Sequence, residues 1–340
     1  MIKYVHIMIS EKFMPPYIDF IQENFHVSEH QFIYITSEKY QFGLTPSHNV
    51  KFIHTDDDFL CLVKILQAAE KIILHGLWRD KINNLLITFP DLLQKSYWVM
   101  WGADFYNPDS KNDEHKKIIE TIGHLVSYSA GDIQFVRTWY GAKGHAIINF
   151  AYPSNLYQPT EYTQKNHTSK NILLGNSGAT NNNHLFLLEQ ISKYKHRIGK
   201  VYTPLSYANK GHPEHIKKVI KYGNELFGDQ FIPMTEFLPF DEYKNLLKEV
   251  DIALFDHDRQ QAMGTIVTLL SYGCRVFIRP SVTTWDTLKD CDIKLFDIAK
   301  LDEGFLTEYH AQKNINNIKK HFSKQSLVHQ WQYLFNLPNG

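Results

Sequence analysis

The sequence has few of the features that mark secreted, metal-bound or membrane-spanning proteins. It contains 3 cysteines in 340 residues. Cys61, Cys274 and Cys291 are widely spaced, so neither a disulfide framework nor a zinc site is indicated, and a reducing compartment is expected. The apolar run MIKYVHIMIS is too short for a signal peptide or a membrane span. No stretch elsewhere is long enough to cross a bilayer, so any membrane contact is expected to be peripheral.

The sequence also has no excess of charge of either sign. Lys plus Arg and Asp plus Glu each number 36. This balance argues against a dedicated nucleic-acid-binding protein, which usually carries a strong basic excess. Hydrophobic residues make up 43% and charged residues 21%, so a chain of this length can bury two domain cores.

The first half alternates short apolar segments with longer stretches of helical periodicity. Segments rich in β-branched and aromatic residues predict strands at residues 4–9, 31–35, 50–53, 72–75, 97–100 and 124–128. The predicted helices are residues 16–25, 59–69, 81–89 and 114–122. Pro15 and Pro16 suit a helix start, and Asp56, Asp57 and Asp58 suit an N-cap cluster. Alternating strands and helices are typical of a parallel sheet covered by helices.

The same alternation restarts after a polar, turn-rich stretch from Tyr152 through Pro159 to His167, which we interpret as a linker. Strands are predicted at residues 172–174, 201–204, 231–233, 252–255 and 276–279, and helices at 184–194, 214–226, 241–249 and 265–272. The sequence therefore predicts an α/β protein with two Rossmann-like domains, residues 1–155 and 156–320, facing each other across a cleft. A last helix, within about 320–340, is expected to pack back on the first domain.

A small polar loop with two glycines follows the strand predicted at residues 172–174. It reads Gly175-Asn176-Ser177-Gly178, and Asn182 and His184 follow it at the start of a predicted helix. Glycines let a ligand approach the backbone, and a helix start offers free N–H groups to an anion. An ordinary strand-to-helix turn would use the same residue types. No Gly-Lys-Ser/Thr follows, so this is not a Walker loop.

A second loop suited to an anion follows the strand predicted at residues 252–255. Arg259 can bind phosphate oxygens through two parallel hydrogen bonds, and Gln260 and Gln261 can bind sugar hydroxyls. Gly264 and Thr265 begin the next predicted helix, whose N-terminus favours a diphosphate. A solvated loop with a Thr cap is the alternative. However, the presence of two loops suited to an anion in the same half favours ligand binding.

Asp256, His257 and Asp258 match an acid–any–acid pattern that binds a metal and a nucleotide in other enzymes. So short a pattern also occurs by chance, and here it leads into the Arg259 loop. We therefore predict no metal ion and no other cofactor.

Two predicted strands of the first half are followed by a titratable residue. His75 precedes Gly76, and Asp104 belongs to the segment Trp101-Gly102-Ala103-Asp104, with Tyr106 close behind. A reaction in which a hydroxyl attacks its substrate needs a general base, for which His75 and Asp104 are candidates. A packing histidine and a turn aspartate are the alternatives.

At these residues the sequence resembles a known family, the TDP-N-acetylfucosamine:lipid II N-acetylfucosaminyltransferases of enterobacterial common antigen synthesis. Four blocks carry the resemblance: His75-Gly76; Trp101 to Asp104 with Tyr106; Gly175 to Gly178 with Asn182 and His184; and Arg259 to Gln261 with Gly264 and Thr265. The similarity spans roughly residues 70 to 280.

The resemblance implies a GT-B-type glycosyltransferase fold, a TDP-sugar donor and a polyprenyl-diphosphate-linked acceptor at the cytoplasmic face of the bacterial inner membrane. It implies donor contacts at Gly175, Asn176, Ser177, Gly178, Asn182, His184, Arg259, Gln260, Gln261, Gly264 and Thr265. It implies acceptor contacts at Gly76, Trp101, Gly102 and Tyr106, and acceptor activation by Asp104 or His75.

The chain departs from the family pattern close to the expected donor pocket. Ala179 stands where an acid is expected, Ala262 and Met263 replace a more glycine-like, aliphatic pair, and Asp256 to Asp258 replace an apolar or aromatic run. Because of these departures the identity of the donor sugar stays open, and a UDP-sugar is an alternative donor. A nucleotide-sugar epimerase or hydrolase and a non-catalytic binding module are the alternative functions.

Overall fold

The computed structural model describes residues 2–39, 41, 43–159, 168–207, 211–306 and 309–338. The chain forms two compact units: unit 1 comprises Met1–Ser154 and Lys324–Gly340, and unit 2 comprises Asn155–Ser323. Of the stretch interpreted as a linker, residues 160–167 lie outside the described residues.

Unit 1 contains a sheet whose seven strands, among the described residues, all pair in parallel. The strands are β1 (Tyr4–Met8), β2 (His30–Tyr34), β3 (Val50–Phe52), β4 (Lys71–His75), β5 (Ser96–Val99), β6 (His124–Ser127) and β7 (His145–Ile148). Their order in the sheet is β3-β2-β1-β4-β5-β6-β7. Every residue of β1 and β4 is buried, as expected of central strands with both faces covered.

Helices connect these strands. They are α1 (Met14–Asn24), α2 (Asp56–Ala68), α3 (Asp80–Thr88), α4 (Asp91–Gln94), α5 (Gly102–Phe105), α6 (Asp113–Thr121) and α7 (Ala130–Tyr140). The N-cap expected among Asp56, Asp57 and Asp58 is instead Thr55. Its side chain accepts from Asp58 N, and Asp58 Oδ2 accepts from Thr55 N at 2.9 Å. This reciprocal pair satisfies two backbone donors, while the three acids occupy the first turn, where the helix dipole favours them.

Unit 2 contains a smaller parallel sheet with six strands among the described residues. They are β8 (Lys170–Leu174), β9 (Ile198–Pro204), β10 (Phe231–Met234), β11 (Ile252–Phe255), β12 (Arg275–Ile278) and β13 (Phe296–Asp297). Their order is β10-β9-β8-β11-β12-β13. The helices are α8 (His184–Ser192), α9 (Pro213–Phe227), α10 (Phe240–Glu249), α11 (Met263–Ser271), α12 (Thr283–Asp290), α13 (Leu301–Leu306) and α14 (Gln312–His321).

The last helix, α15 (Lys324–Asn336), belongs to unit 1 although it follows unit 2 in the sequence. Trp331 is fully buried, and its Nε1 donates to Ala151 O at 2.9 Å. Phe150 N donates to Gln330 Oε1 at 3.0 Å, and Phe335 packs on Tyr4 with ring centroids 4.5 Å apart. These contacts fix α15 against the end of the first stretch of unit 1.

The α/β fold class with two Rossmann-like sheets is confirmed, and every predicted strand and helix overlaps an observed one. The sequence patterns missed β7, β13, α4, α5, α7 and α12 to α14. β13 has two residues, and β7 is a four-residue strand at the edge of its sheet, exposed at two positions. The helix predicted from Thr265 begins two residues earlier, at Met263. Among the described residues, no helix combines the length and the hydropathy needed to cross a membrane.

Candidate functional site

The order of strands defines one position in each sheet where successive connections turn in opposite directions. In unit 1 this topological switch point lies between β1 and β4, and in unit 2 between β8 and β11. Doubly wound sheets bind ligands at the carboxyl ends of the strands beside such a point. His75-Gly76 follows β4, the Gly175 loop follows β8, and the Asp256–Arg259 segment follows β11.

Gly76 allows a tight turn at the switch point of unit 1. Its φ is +81°, which favours glycine, and a Cβ there would lie 1.9 Å from Trp78 Nε1. A small pocket at this point is lined by residues that follow β1 and β4, among them Ile9, His75 and Trp78. A side chain at position 76 would therefore displace Trp78 from the pocket.

His75 is held by a tyrosine that the sequence analysis placed in the linker. His75 Nδ1 lies 2.8 Å from Tyr152 OH, and Trp101 Nε1 donates to the same oxygen at 2.9 Å. Because an indole N–H can only donate, the tyrosine hydroxyl proton is available to His75 Nδ1, which assigns the proton of neutral His75 to Nε2. Burial lowers the pKa of His75 to about 3, so the ring is neutral near pH 7.

Asp104 connects the loops that follow β4 and β5. Its Oδ2 accepts hydrogen bonds from Leu77 N at 3.1 Å, Trp98 Nε1 at 2.9 Å and Trp101 N at 3.3 Å. Its Oδ1 is buried and has no hydrogen-bond partner in the described part of the chain. Burial raises the pKa of Asp104 to about 7, although the bond from Trp98 and the two backbone bonds lower it.

The other expected acceptor residues surround α5. Trp101 is its N-cap and Gly102 its first residue. Tyr106 ends the helix, and its hydroxyl donates to Asp132 Oδ1 at 2.7 Å, which ties α5 to α7. The sequence block WGAD thus places Trp101 on the tyrosine that binds His75 and Asp104 on the backbone of Leu77, two residues after His75, whereas the Tyr106 hydroxyl is engaged by α7.

In unit 2, the side chain of Asn182 shapes the Gly175 loop. Asn182 is fully buried, accepts from Asn176 N at 2.9 Å and donates to Ser177 Oγ at 2.9 Å. Gly175 has a φ of +70°, and a Cβ there would lie 3.0 Å from both Asn182 Oδ1 and His184 Nε2. At Gly178 a Cβ would lie 2.9 Å from Leu205 O. The loop is therefore closely packed against its neighbours in unit 2, and both positions need glycine.

The two predicted donor loops are hydrogen-bonded to each other. Asn181 Nδ2 donates to Gln261 Oε1 at 3.5 Å, and Asn183 Nδ2 donates to Asp256 O at 2.7 Å. Both asparagines precede α8, whereas their partners precede α11. The starts of α8 and α11 consequently lie at the same edge of the sheet.

The remaining residues of the second loop begin α11. Arg259 Nη1 donates to Gln260 O at 3.1 Å. Gly264 O accepts from Thr268 Oγ1 at 2.8 Å, and Thr265 hydrogen-bonds Tyr243, whose pKa burial raises to about 12. The N-cap of α11 is Ala262, which has a φ of +63°. This conformation is costly for a residue with a Cβ and explains why a more glycine-like residue suits the position.

Asp256 and Asp258 share a guanidinium that the sequence analysis did not single out. Arg279, at the carboxyl end of β12, lies 2.8 Å from Asp256 Oδ1 and 2.8 Å from Asp258 Oδ1. Both carboxylates that a cation would need are thus already paired with Arg279. No cluster of three metal-ligating side chains occurs within the described ranges. A pocket of about 480 Å³ lies beside this ion pair and is lined by Phe186, Asp297 and Ala299 among others.

Several buried polar atoms at this edge have no hydrogen-bond partner within the described residues. They are Asn176 Oδ1, His184 Nε2, both ring nitrogens of His257, and Gln261 Nε2. Native proteins satisfy nearly all buried polar groups, so a cluster of exceptions marks a place where a ligand or water completes the bonding. Burial, and then His215, lowers the pKa of His184 to about 3.

The sequence analysis missed three side chains that organise these sites: Tyr152, Asn183 and Arg279. Tyr152 gave no signal, because it lies in a turn-rich stretch. Arg279 did have a sequence signal, since a basic residue directly after a buried strand of a parallel sheet reaches the ligand-binding edge.

Solved structures with the same arrangement define the fold. The chain is similar to a glycosyltransferase from Rickettsia africae ESF-5, with 13% identity, coverage of 98% of this chain and 97% of that one, and a TM-score of 0.69. It is also similar to Alr3699/HepE of Anabaena, solved in complex with UDP, with 11% identity, coverage of 99% and 100%, and a TM-score of 0.68. A putative UDP-N-acetylglucosamine 2-epimerase from Listeria monocytogenes matches with 12% identity, coverage of 98% and 95%, and a TM-score of 0.56. The fold is that of the GT-B class.

Sequence comparison identifies the family within this class. The sequence model of the family described as 4-alpha-L-fucosyltransferase, glycosyl transferase group 56, matches residues 17–339. The chain belongs to this family and is a glycosyltransferase. The resemblance to the N-acetylfucosaminyltransferases noted in the sequence is thereby confirmed.

Proposed function

We propose that this glycosyltransferase moves an amino-deoxy sugar similar to N-acetylfucosamine from a TDP-sugar to a polyprenyl-diphosphate-linked saccharide, in the synthesis of a cell-surface polysaccharide. Family membership supports the reaction class. The observation that carries the donor assignment is the pair of hydrogen-bonded loops at the switch point of unit 2, with its cluster of unpartnered buried polar atoms. The proposal places the enzyme at the cytoplasmic face of the bacterial inner membrane, in peripheral contact with it.

In this proposal unit 2 binds the donor and unit 1 the acceptor. The starts of α8 and α11 present backbone N–H groups to the diphosphate, where a helix dipole favours an anion. Arg259 adds a charge-assisted contact, and Gln260 and Gln261 contact sugar hydroxyls. Alr3699/HepE, of the same fold, was solved with UDP, which supports a nucleoside diphosphate as the ligand class.

Of the two candidate bases in unit 1, Asp104 fits the role better. A general base works best when its pKa is near the working pH, and burial raises that of Asp104 to about 7. His75 has a pKa of about 3, and its Nε2 carries a proton in the tautomer that Tyr152 favours. We therefore propose Asp104 as the base and His75 as a hydrogen-bond donor to the acceptor.

The chemistry exchanges one C–O bond for another. In an inverting transfer the acceptor hydroxyl oxygen attacks the anomeric carbon and forms the glycosidic bond. The bond from that carbon to the diphosphate oxygen breaks, and the nucleoside diphosphate leaves with the electron pair. The hydroxyl proton passes to Asp104, while the α8 and α11 N-termini and Arg259 stabilise the charge on the leaving group.

The decisive experiment incubates the purified protein with a panel of TDP- and UDP-sugars, with and without a polyprenyl-diphosphate-linked saccharide. The proposal predicts a glycosylated lipid product with a TDP-amino-deoxy sugar, and little loss of donor without acceptor. Rapid conversion of the donor alone would indicate an epimerase or hydrolase instead. Donor binding without turnover, unaffected by Asp104→Ala and His75→Ala, would indicate a binding module.

A chelator arm tests the metal alternative in the same assay. Because Asp256 and Asp258 are both paired with Arg279, we expect activity to survive an excess of chelator. Loss of activity that a divalent cation restores would assign these two acids to a metal.

A further inference from the structure

His257 occupies an unusual position for a histidine that only fills space. It lies in the loop after β11, at the switch point of unit 2, and only 1% of its surface is exposed. Its ring packs on Phe255 with centroids 5.3 Å apart. Neither ring nitrogen has a hydrogen-bond partner among the residues that the structure describes. A buried polar atom left without a partner costs about 1–3 kcal/mol, so an uncompensated imidazole here would be a substantial defect.

The surroundings of His257 suit an anion. Burial, and then Arg259, His184 and Arg279, lower its pKa to about 3. The two acids beside it in the sequence are both paired with Arg279 at 2.8 Å. His257 thus lies in a dry environment, in which a hydrogen bond to an anion is stronger than it would be in water.

His257 shares this edge with other polar atoms that lack partners. Gln261 Nε2 belongs to the same loop, and His184 Nε2 lies at the start of α8, beside Gly175. A ligand rich in acceptor oxygens would satisfy several of these atoms at once. A diphosphate is such a ligand, and the proposed function already brings one to this edge.

We infer that His257 binds the donor directly, by donating a hydrogen bond from a ring nitrogen to a diphosphate oxygen. This inference rests on the proposed function and adds a residue that the family resemblance did not supply. In this chain the segment Asp256-His257-Asp258 then has a divided role. The two acids orient Arg279 and hold the loop against Asn183, and the imidazole between them faces the ligand.

The test measures binding of TDP and of thymidine to the full-length protein by calorimetry or NMR titration. His257→Phe keeps an aromatic ring, slightly larger than imidazole, but removes the donor, whereas His257→Gln and His257→Asn place an amide near Nε2 and Nδ1 respectively. We expect His257→Phe to weaken TDP binding at least about tenfold and to leave thymidine binding within about twofold. One of the two amide variants should keep TDP binding within about threefold of the wild type.

Stability supplies a second readout that separates ligand binding from a structural role. Replacing two unpartnered polar atoms by a ring of similar shape should leave the free energy of unfolding unchanged or raise it. Weaker TDP binding in an equally or more stable protein would support the inference. His196→Gln, an exposed histidine of unit 2, is the control and should change neither quantity.

Three outcomes would overturn the inference and leave the proposed function intact. They are TDP binding by His257→Phe within twofold of the wild type, equal losses for TDP and thymidine, and failure of both amide variants to retain TDP binding. If His257→Phe does not fold, the amide variants decide. If the TDP affinities of the two amide variants differ by at least about fivefold while their thymidine affinities do not, a contact through one nitrogen is supported. Equal TDP affinities refute it. A wild-type protein that binds neither TDP nor UDP would refute the inference together with the proposed function.

Discussion

At the scale of single residues, Asp104 and His75 show how burial changes acid–base chemistry in opposite directions. Removing a group from water disfavours its charged form, so a carboxyl pKa rises and an imidazole pKa falls. Burial therefore raises the pKa of Asp104 to about 7 and lowers the pKa of His75 to about 3. The two candidates thus become a base suited to neutral pH and a neutral hydrogen-bond donor.

This difference predicts the pH profile of the enzyme. In the wild type, kcat/KM should rise through a limb centred near pH 7 as Asp104 ionises. Asp104→Asn keeps an acceptor oxygen for Trp98 Nε1 but cannot take a proton, so kcat should fall at least about 100-fold and the limb should disappear. The measurement is the transfer rate between pH 5.5 and 8.5.

A buried acid outside the site provides the control. Asp251 accepts from Asn171 N at 2.8 Å before the start of β11, and Asp251→Asn should keep the limb whatever it does to stability. If Asp104→Asn is slow but still shows the limb near pH 7, Asp104 positions its neighbours and another group is the base.

Arg259 is predicted to act on the donor and not on the fold. Within the described part of the chain its guanidinium makes one hydrogen bond, to the adjacent Gln260 O, so its removal breaks little there. Arg259→Ala should lower kcat/KM for the donor by about 10- to 100-fold, because a charge-assisted contact contributes about 1.5–3 kcal/mol. Its thermal midpoint should stay within about 2 °C of the wild type.

Arg197→Ala is the matched comparison for Arg259→Ala. Arg197 precedes β9 and therefore lies at the amino end of the strands, opposite the predicted site. Near-normal transfer by Arg259→Ala, or an equal loss in Arg197→Ala, would remove Arg259 from the donor site.

At the scale of elements, α11 begins from a strained residue. Ala262 has a φ of +63°, in the left-handed region that costs a residue with a Cβ about 1–2 kcal/mol. The contacts that hold its loop, between Asn181 and Gln261 and between Asn183 and Asp256, compensate for this strain. Strain at a loop that presents a helix N-terminus is consistent with a functional role.

Ala262→Gly should therefore stabilise the protein by up to about 1 kcal/mol, since relief of strain exceeds the added entropy of the unfolded chain. Ala179→Gly is the matched control in the other loop. Ala179 has a φ of −70°, so glycine brings no relief there and should destabilise by about 0.5–1 kcal/mol. The measurement is the urea midpoint of each variant, and equal changes of the same sign would contradict the strain argument.

At the scale of the whole molecule, buried histidines in both units make stability depend on pH. The folded-state pKa is lowered to about 4 for His30 and to about 3 for His75, His184 and His257, and well below the usual 6.5 for His6. As the pH falls below about 6.5, the unfolded chain binds these protons and the folded chain does not. Their stabilising contribution is present above about pH 6.5 and is lost as the pH falls.

We predict a marked loss of stability between pH 7.5 and 5.5, with each of these histidines contributing about 1.4 kcal/mol. Asp104 acts in the opposite sense, because its raised pKa favours the folded state at lower pH, but it is one group against several. Urea unfolding at the two pH values tests this. His30→Phe should reduce the pH dependence by one histidine's share and His196→Gln should not. Stability that is flat or rises toward pH 5.5 would contradict the prediction.

The sequence by itself determined the elements of this protein and the loops that carry its chemistry. Alternating apolar runs and helical periodicity are local patterns, so they predicted both sheets and placed Gly175, Arg259, His75 and Asp104 just after strands. The four blocks at these residues also identified the family, which the match over residues 17–339 confirms.

Only the tertiary structure decided which of these residues meet and in what state. Asn181 and Gln261 are 80 positions apart, and His75 and Tyr152 are 77 apart, so their contacts depend on strand order and not on local propensity. The loss of water around Asp104, His75 and His257 likewise comes from packing by distant segments. Because desolvation sets the pKa of a buried group and the spatial arrangement sets its partners, the chemistry of these side chains could not be predicted from their neighbours in the sequence.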